Sequence, residues 1–168
     1  MSGVVCDASP LIFLAKLDRL DLIKQVLKGE IFVLQCVIDE LQSGKATQQE
    51  SLRLSQFLKA VEIIDFEVAD VIPSALSKSD QSTLQWAIEN NADWLLADER
   101  LLRRVASEEG IKVIGFLGIL LGAASSKFIT AKEVNEAVDA AISKHGCRIS
   151  VAVYQRVRKE LEKIGKQK

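Results

Sequence analysis

Short runs of apolar residues alternate along this chain with longer segments in which apolar residues recur at helical spacing. Five runs have the length and residue types of buried strands: 4–6, 31–34, 61–64, 94–97 and 111–114. Amphipathic segments separate these runs, and that alternation is typical of α/β proteins. We therefore predict a three-layer sandwich in which helices cover both faces of a sheet.

Capping signals predict where several helices begin. Ser9 is a capping residue followed by Pro10, so we expect a helix to begin there. Thr47 and Thr130 each precede a Glu by three residues, which is the spacing of a capping box. The serine-rich stretch 66–79 predicts a loop with room for one short helix.

The chain has 168 residues, which is the length of one ordinary domain. No internal repeat or low-complexity linker divides it. We predict one domain over residues 1–128 and a helical C-terminal extension over residues 129–168 that packs on the same domain. Ser150 is expected to cap the last helix of this extension.

Composition predicts a soluble, cytoplasmic protein without a membrane partner. Apolar residues make up 48% and charged residues 27% of the chain, a globular balance. The longest uncharged apolar run, Val113–Ala124, is too short to span a bilayer. No basic segment precedes an apolar one at the N-terminus, so no secretory signal is expected.

Cysteine and histidine usage excludes several kinds of site. There are three cysteines, without a CxxC pair, and the single histidine is His145. A disulfide framework, a thiolate zinc site and catalysis by two imidazoles are therefore not expected. Cys6 and Cys36 lie in apolar runs, which predicts buried thiols.

Charge is unevenly distributed along the chain. Residues 144–168 carry eight Lys or Arg against two Glu, whereas residues 1–143 have a net charge of −7. Arg156, Lys159 and Lys163 are spaced to share one helix face, and we expect this face to contribute to RNA or partner binding. The alternative is an ordinary solvated helix face.

Four carboxylates are candidates for a common site. Asp7 and Asp98 directly follow the first and fourth predicted strands, while Glu40 and Asp80 lie early in helices. In open parallel sheets, ligands bind at the carboxyl edge where the strand order reverses. Four acids converging there would require a cation. Oxygen ligands without His or Cys favour Mg²⁺ or Mn²⁺.

Each of these acids also has a purely structural interpretation. Asp7 could be a turn residue, Asp98 and Asp80 could cap helices, and Glu40 could be an exposed helix acid. Spacing alone leaves both interpretations open.

The sequences of four segments resemble those of the PIN-domain family, and more narrowly those of the small prokaryotic PIN proteins related to VapC toxins. The segments are VVCDASPLIFLAKL, VLQCVIDEL, SKSDQSTLQWA and WLLADERLLRRVA followed by IKVIG, and the resemblance covers Val4 to Phe128. It implies a five-stranded parallel sheet in the order 3-2-1-4-5. It further implies divalent-metal binding, ribonuclease activity, an antitoxin partner and a homodimer. The family's acidic quartet falls on Asp7, Glu40, Asp80 and Asp98, with Ser9 supporting the first.

The chain departs from the family pattern at several positions. Ser79 stands where a glycine is common, Asp80 replaces the more frequent Glu, and Gln35 stands where a proline is common. Glu99 follows Asp98 where a second aspartate is frequent, so which of this pair contacts metal stays open. None of these changes removes a ligand.

The sequence features suggest three functions. The first is a divalent-metal-dependent endoribonuclease that hydrolyses RNA phosphodiesters, as the toxin of a toxin–antitoxin pair. The second is a PIN-fold module that binds RNA or protein without cleavage. The third is a dehalogenase-like phosphatase, disfavoured because Ser9 stands where a second aspartate is needed. Arg100 and Arg103 are candidates for contact with RNA phosphate or for ion pairs within their helix.

Overall fold

The computed structural model describes residues 3–167, in which one sheet contains five parallel strands. These are β1 (Gly3–Cys6), β2 (Glu30–Leu34), β3 (Glu62–Ile64), β4 (Trp94–Leu96) and β5 (Lys112–Ile114). Their order is β3-β2-β1-β4-β5, which confirms the order implied by the family resemblance. The strand order reverses at β1 and β4, so a ligand crevice is expected at their carboxyl ends.

The central strand β1 aligns the two strand ends that carry the first and last candidate acids. All four residues of β1 are buried, and Val5 pairs with Phe32 of β2 and Leu95 of β4. Beyond the strand, the Asp7 N–H donates to the carbonyl of Leu96 at 2.9 Å. The chain therefore leaves β1 and β4 side by side at one edge of the sheet.

Nine helices lie within residues 3–167 and cover both faces of the sheet. They are α1 (Ala8–Lys16), α2 (Asp21–Val26), α3 (Gln35–Ser43), α4 (Gln48–Leu58), α5 (Lys78–Glu89), α6 (Arg100–Glu108), α7 (Phe116–Ser125), α8 (Ala131–Ser143) and α9 (Val151–Lys166). Helix α1 packs against α3, α4 and α7, whereas α5 packs against α6 and β1. The prediction of a three-layer α/β sandwich is confirmed.

Apolar burial holds α1 and α7 in place at the centre of the fold. Leu11 and Leu14 of α1 and Ile119 and Leu120 of α7 are completely buried. Each such side chain stabilises the fold by about 1.5–3 kcal/mol relative to an exposed position. Both helices begin at the carboxyl edge, so this packing also fixes the residues at their first turns.

The C-terminal helices belong to the same packed structure. Helix α9 contacts α7 and α8, and its Val157 and Leu161 are buried. Arg156, Lys159 and Lys163 are exposed on the remaining surface of this helix. Between residues 3 and 167, no helix combines the length and apolar character that crossing a bilayer requires.

Most capping predictions hold, but the first one is wrong by two residues. Thr47 and Thr130 form capping boxes as expected, and Ser150 caps α9. Helix α1 begins at Ala8 with Asp7 as its N-cap residue, so Ser9 lies inside the first turn. Proline is tolerated in that turn because its missing N–H would have no helical partner there.

The structure also decides two further expectations. The segment between Ile64 and Lys78 is a loop as predicted and contains no short helix, and the Gln81 side chain of α5 donates to its Ile72 carbonyl at 2.9 Å. Cys6 is buried as predicted, but Cys36 is only half-buried. Helix α3 starts one residue before Cys36 at the open carboxyl edge, which leaves its first turn partly accessible.

Candidate active site

A pocket of about 540 Å³ lies at the carboxyl edge of the sheet, where β1 and β4 end. It brings together acids contributed by four different elements of the chain. The acidic members of its lining are Asp7, Glu40, Asp80, Asp98 and Glu99. All four carboxylates singled out in the sequence therefore line one pocket.

Asp7 is the most deeply buried of these acids, with an exposed fraction of 4%. It is the N-cap residue of α1, yet its side chain makes no capping hydrogen bond. Burial raises the pKa of Asp7 to about 7, and the nearby charge of Asp80 adds to the increase. Glu40 and Asp98 contribute in the same direction, whereas a hydrogen bond from the Ala8 backbone opposes it.

Asp98 is held by the start of α7 rather than by α6, the helix that follows it in the chain. Its Oδ1 accepts a hydrogen bond from the Phe116 N–H at 3.1 Å, while its buried Oδ2 has no hydrogen-bond partner. Burial raises the pKa of Asp98 to about 6, although the Phe116 bond and the charge of Arg103 act against the increase. Asp98 thus presents one fixed oxygen and one unsatisfied oxygen.

Gly115 leaves the space that this arrangement requires. A Cβ atom at Gly115 would collide with Asp98 Oδ1 and lie 2.9 Å from Arg103 Nη1. Arg103 Nη1 in turn donates to the carbonyl of Ala97 at 2.9 Å. The side chain of Arg103 is therefore half-buried beside Asp98, where it favours the ionised carboxylate.

Asp80 and Glu40 enter the pocket from α5 and α3. Asp80 Oδ2 accepts from the Ser77 N–H at 3.1 Å, and the Ser77 hydroxyl accepts from the Asp80 N–H at 3.0 Å, which completes a capping box. Glu40 is exposed, but partial burial and the charge of Asp80 raise its pKa. The buried Ser79 hydroxyl lies close enough to Glu40 to oppose this increase, although it forms no well-aligned hydrogen bond.

Glu99 and Ser9 differ in what their side chains do. Glu99 caps α6, because its carboxylate accepts a hydrogen bond from the Leu102 N–H at 2.5 Å. The adjacent Asp98 carries the unsatisfied oxygen instead, which favours Asp98 over Glu99 as a ligand. Ser9 lines the pocket from the first turn of α1. Its side chain is half-buried, and it lies two residues after Asp7 in the chain.

The basic candidates do not form one cluster in the pocket. Arg100 is exposed at the first turn of α6, whereas Arg103 is turned inward to the Ala97 carbonyl. Lys163 pairs with Glu160 at 3.1 Å on α9. None of the five predicted RNA contacts, which also include Arg156 and Lys159, lines the pocket.

The donor chemistry of the pocket suits a hard divalent cation. Its ionisable oxygen atoms are carboxylates, it contains no histidine, and Asp98 Oδ2 is buried without a donor. Burial keeps the pKa values of Asp7 and Asp98 high, and repulsion from neighbouring carboxylates adds to the increase at Asp7. A bound cation would relieve both effects. Within residues 3–167, however, no three Asp, Glu, His or Cys side chains are close enough together to form a ready-made metal centre.

Sequence reasoning missed several residues that line the pocket, and it missed Gly115, which lies against Asp98. Ser77 and Gly115 carry weak local signals, namely the capping spacing to Asp80 and the glycine that ends the IKVIG segment. Cys147 and Arg148 line the pocket from the connection between α8 and α9. Nothing in their local sequence indicates this position, because only the packing of α9 on α7 brings the connection to the site.

Comparisons with known proteins agree with this architecture. The family DUF3368, described as a PIN domain, matches residues 3–163. The chain is similar to the structure of a PilT N-terminus domain protein from the hyperthermophilic archaeon Sulfolobus solfataricus P2, with a TM-score of 0.50 and 17% identity over 70% of this chain and 89% of that chain. It is also similar to a domain of a functionally unknown protein from Methanocaldococcus jannaschii DSM 2661, with a TM-score of 0.49 and 13% identity over 68% of this chain and 91% of that chain. No curated protein matches the chain.

Proposed function

Because the chain belongs to the PIN-domain family, whose members are generally nucleases, we propose that it is a divalent-metal-dependent endoribonuclease. The observation that carries this proposal is the convergence of Asp7, Glu40, Asp80 and Asp98 in one pocket at the carboxyl edge. A protein that only bound a polyanion would gain nothing from such a concentration of negative charge.

Asp7 and Asp98 are the residues that would hold the cation, with Glu40 and Asp80 completing the acidic pocket directly or through water. PIN domains usually use divalent metal ions, and Mg²⁺ and Mn²⁺ match the oxygen donors present here. When bound, such an ion supplies neutralisation of the developing negative charge and a water molecule of lowered pKa. The four carboxylates would bind the ion and orient it towards the RNA. The charge of Arg103 favours the ionised form of Asp98.

Hydrolysis in this site uses water as the attacking group. Among the described residues of the pocket lining, serine is the only hydroxyl residue type and no histidine is present to activate it. Direct attack of water on phosphorus leaves 5′-phosphate and 3′-hydroxyl ends, since the ribose 2′-hydroxyl takes no part. The chemistry of the product ends is therefore a test of the mechanism as well as of the activity.

The central experiment incubates the purified protein with a mixed RNA pool and Mn²⁺ or Mg²⁺, with and without chelator. Asp7→Asn and Asp98→Asn keep the side-chain shape but remove a charged ligand, so cleavage should fall by about 100-fold or more. Asp39→Asn is the matched control, because Asp39 is an exposed carboxylate of α3 outside the pocket. Cleavage that persists in chelator, or is equal in wild type and Asp7→Asn, contradicts the proposed mechanism.

A second candidate is a PIN-fold module that binds RNA or protein without cleaving it. The specific observation in its favour is the lack, within residues 3–167, of three metal-ligating side chains already gathered around one point. Absence of cleavage of every RNA tested, together with absence of heat on titration with Mn²⁺ by calorimetry, would support this alternative.

The biological role and the partners are part of the same proposal. We infer that the protein acts as the toxin of a toxin–antitoxin pair in the cytoplasm, with an antitoxin partner and a homodimeric assembly. This inference is supported by the resemblance of the four acidic segments to VapC-like proteins. Growth arrest on induced expression, relieved by co-expression of the product of a small adjacent gene, is the expected result. Light scattering of the purified protein tests the dimer.

A further inference from the structure

The connection between α8 and α9 supplies part of the wall of the acidic pocket. Its contribution consists of Cys147, Arg148, Ile149 and Ser150, and Val153 continues the wall from the first turn of α9. Among the described residues that line the pocket, Arg148 is the only Lys or Arg, whereas five are acidic. This wall lies beyond the four acidic segments, the last of which ends at Gly115, although it lies within the residues 3–163 that match the family.

Arg148 follows an anchored backbone. Gly146 adopts a positive φ of 67°, and the Cys147 N–H donates to the carbonyl of Ala141 at 2.9 Å. The Cys147 side chain is only 8% exposed, and the charge of Asp98 contributes to raising its pKa after burial. The thiol is thus packed close to Asp98, and it fixes the residue that follows at the same site.

The Arg148 side chain itself is available for binding. It is exposed, and over residues 3–167 it forms no ion pair or hydrogen bond, even though five carboxylates line the same pocket. Arg103, the other arginine near Asp98, is occupied by the Ala97 carbonyl. Ser150 caps α9, so the positive end of a 16-residue helix dipole lies on the same wall.

We propose that Arg148 binds a phosphate of the RNA backbone at the mouth of the pocket. This inference rests on the proposed ribonuclease function and adds a substrate-binding residue to it. Five carboxylates repel a phosphodiester, and a positive charge in the pocket wall offsets this repulsion in addition to a bound cation. A guanidinium group matches the geometry of phosphate through two parallel hydrogen bonds. Asp98, whose buried Oδ2 is unsatisfied, and Arg148, the one free cation among the described lining residues, therefore line the same pocket.

The experiment measures RNA affinity separately from cleavage. Full-length protein carrying Asp7→Asn binds a labelled single-stranded RNA, and fluorescence anisotropy is recorded in Mg²⁺ at several KCl concentrations. Adding Arg148→Gln should weaken binding by about fivefold to tenfold and reduce the slope of log affinity against log salt by about one. Arg148→Lys should keep the salt slope, since the charge is kept, and should lose less affinity than Arg148→Gln, because lysine retains the charge but not the two parallel hydrogen bonds.

Lys59→Gln is the matched control, because Lys59 is exposed at the end of α4, forms no ion pair within residues 3–167 and lies outside the pocket. It removes the same charge and should leave the affinity and the salt slope nearly unchanged. Equal losses in Arg148→Gln and Lys59→Gln, or equal losses in Arg148→Gln and Arg148→Lys, would overturn the inference. Binding that depends on Arg148 without any cleavage by wild type contradicts only the nuclease. Cleavage by wild type and by Arg148→Gln at the same kcat/KM contradicts only the role of Arg148.

Discussion

Asp7 and Asp98 are both aspartates at strand ends, but the protein positions them in different ways. Asp7 is nearly fully buried and has no capping bond from its side chain, so its position follows from the backbone of β1 and the start of α1. Asp98 is fixed by the N–H of Phe116, which lies eighteen residues further along the chain. The second carboxylate therefore depends on residues at the end of β5, and Gly115 is the most constrained of these.

Gly115→Ala tests this dependence. The added methyl group would displace Asp98 and Arg103, so we expect a loss of about 1–3 kcal/mol in the free energy of unfolding. Cleavage should fall by about 100-fold, since a shift of about 1 Å at a reacting centre has effects of that size. Urea unfolding and cleavage rates with saturating Mn²⁺ measure the two effects.

Gly165→Ala is the control for that substitution. A Cβ at Gly165 meets no atom within 4 Å, and the residue lies inside α9. Alanine should stabilise this helix by about 0.5–1 kcal/mol and leave cleavage unchanged. Full activity in Gly115→Ala would mean that the geometry of Asp98 does not control the reaction.

At the scale of elements, helix starts position three of the five acids of the pocket by their own caps, whereas Glu40 lies in the second half of α3. Asp7 is the N-cap residue of α1, Glu99 caps α6, and Asp80 is the third residue of α5 in a capping box with Ser77. A helix start fixes both the backbone and the nearby side chain, because unsatisfied N–H groups there bind carboxylate or hydroxyl oxygen. The cap of α5 thus both stabilises the helix and orients Asp80.

Comparison of Ser77→Ala with Thr130→Ala separates stabilisation of α5 from orientation of Asp80. Each substitution removes the hydroxyl of a capping box and should lower the free energy of unfolding by about 1 kcal/mol. Ser77→Ala keeps the bond from the Ser77 backbone N–H to the Asp80 carboxylate but removes the hydroxyl that accepts from the Asp80 backbone N–H. The first turn that carries Asp80 is thereby loosened, so only that variant should cleave RNA more slowly. Chemical denaturation and cleavage rates are compared for the two variants. A similar loss of cleavage in Thr130→Ala would attribute the effect to stability alone.

At the scale of the whole molecule, the acidic pocket lowers stability when no cation is bound. An acid whose pKa is higher in the folded protein than in the unfolded chain retains its proton longer in the folded state. The unfolded chain then releases its proton first, and the free energy of unfolding falls as pH rises between the two pKa values. For Asp7 this window extends from about 4 to about 7, and for Asp98 to about 6.

We therefore expect the protein in chelator to lose stability between pH 5 and pH 8. Asp7 alone should account for about 2–3 kcal/mol over this range. Asp7→Asn should flatten the profile and be more stable than wild type at pH 8, because the penalty for burying that charge is gone. Denaturant unfolding at each pH measures the change.

Glu133→Gln provides the control for the pH profile. Hydrogen bonds from Thr130 lower the pKa of Glu133, so this acid is ionised throughout the pH range used. Its replacement should leave the slope between pH 5 and pH 8 unchanged. Parallel profiles for wild type and Asp7→Asn would show that burial of Asp7 does not lower stability.

The sequence by itself determined the elements and the candidate acids. Apolar periodicity predicts strands and helices because burial of apolar surface dominates folding, and the Thr47 and Thr130 capping boxes are local signals that need no tertiary contact. Family resemblance added the strand order, which periodicity cannot provide, and named the same four acids.

Only the tertiary structure decided which of these residues meet and what surrounds them. The inward turn of Arg103, the space at Gly115 and the unsatisfied oxygen of Asp98 all depend on β4 and β5 lying side by side. Arg148 reaches the pocket because α9 packs on α7, far from the acids in sequence. Local patterns fix local structure, whereas the charge balance of the site depends on contacts between distant segments, and no short window of sequence contains those contacts.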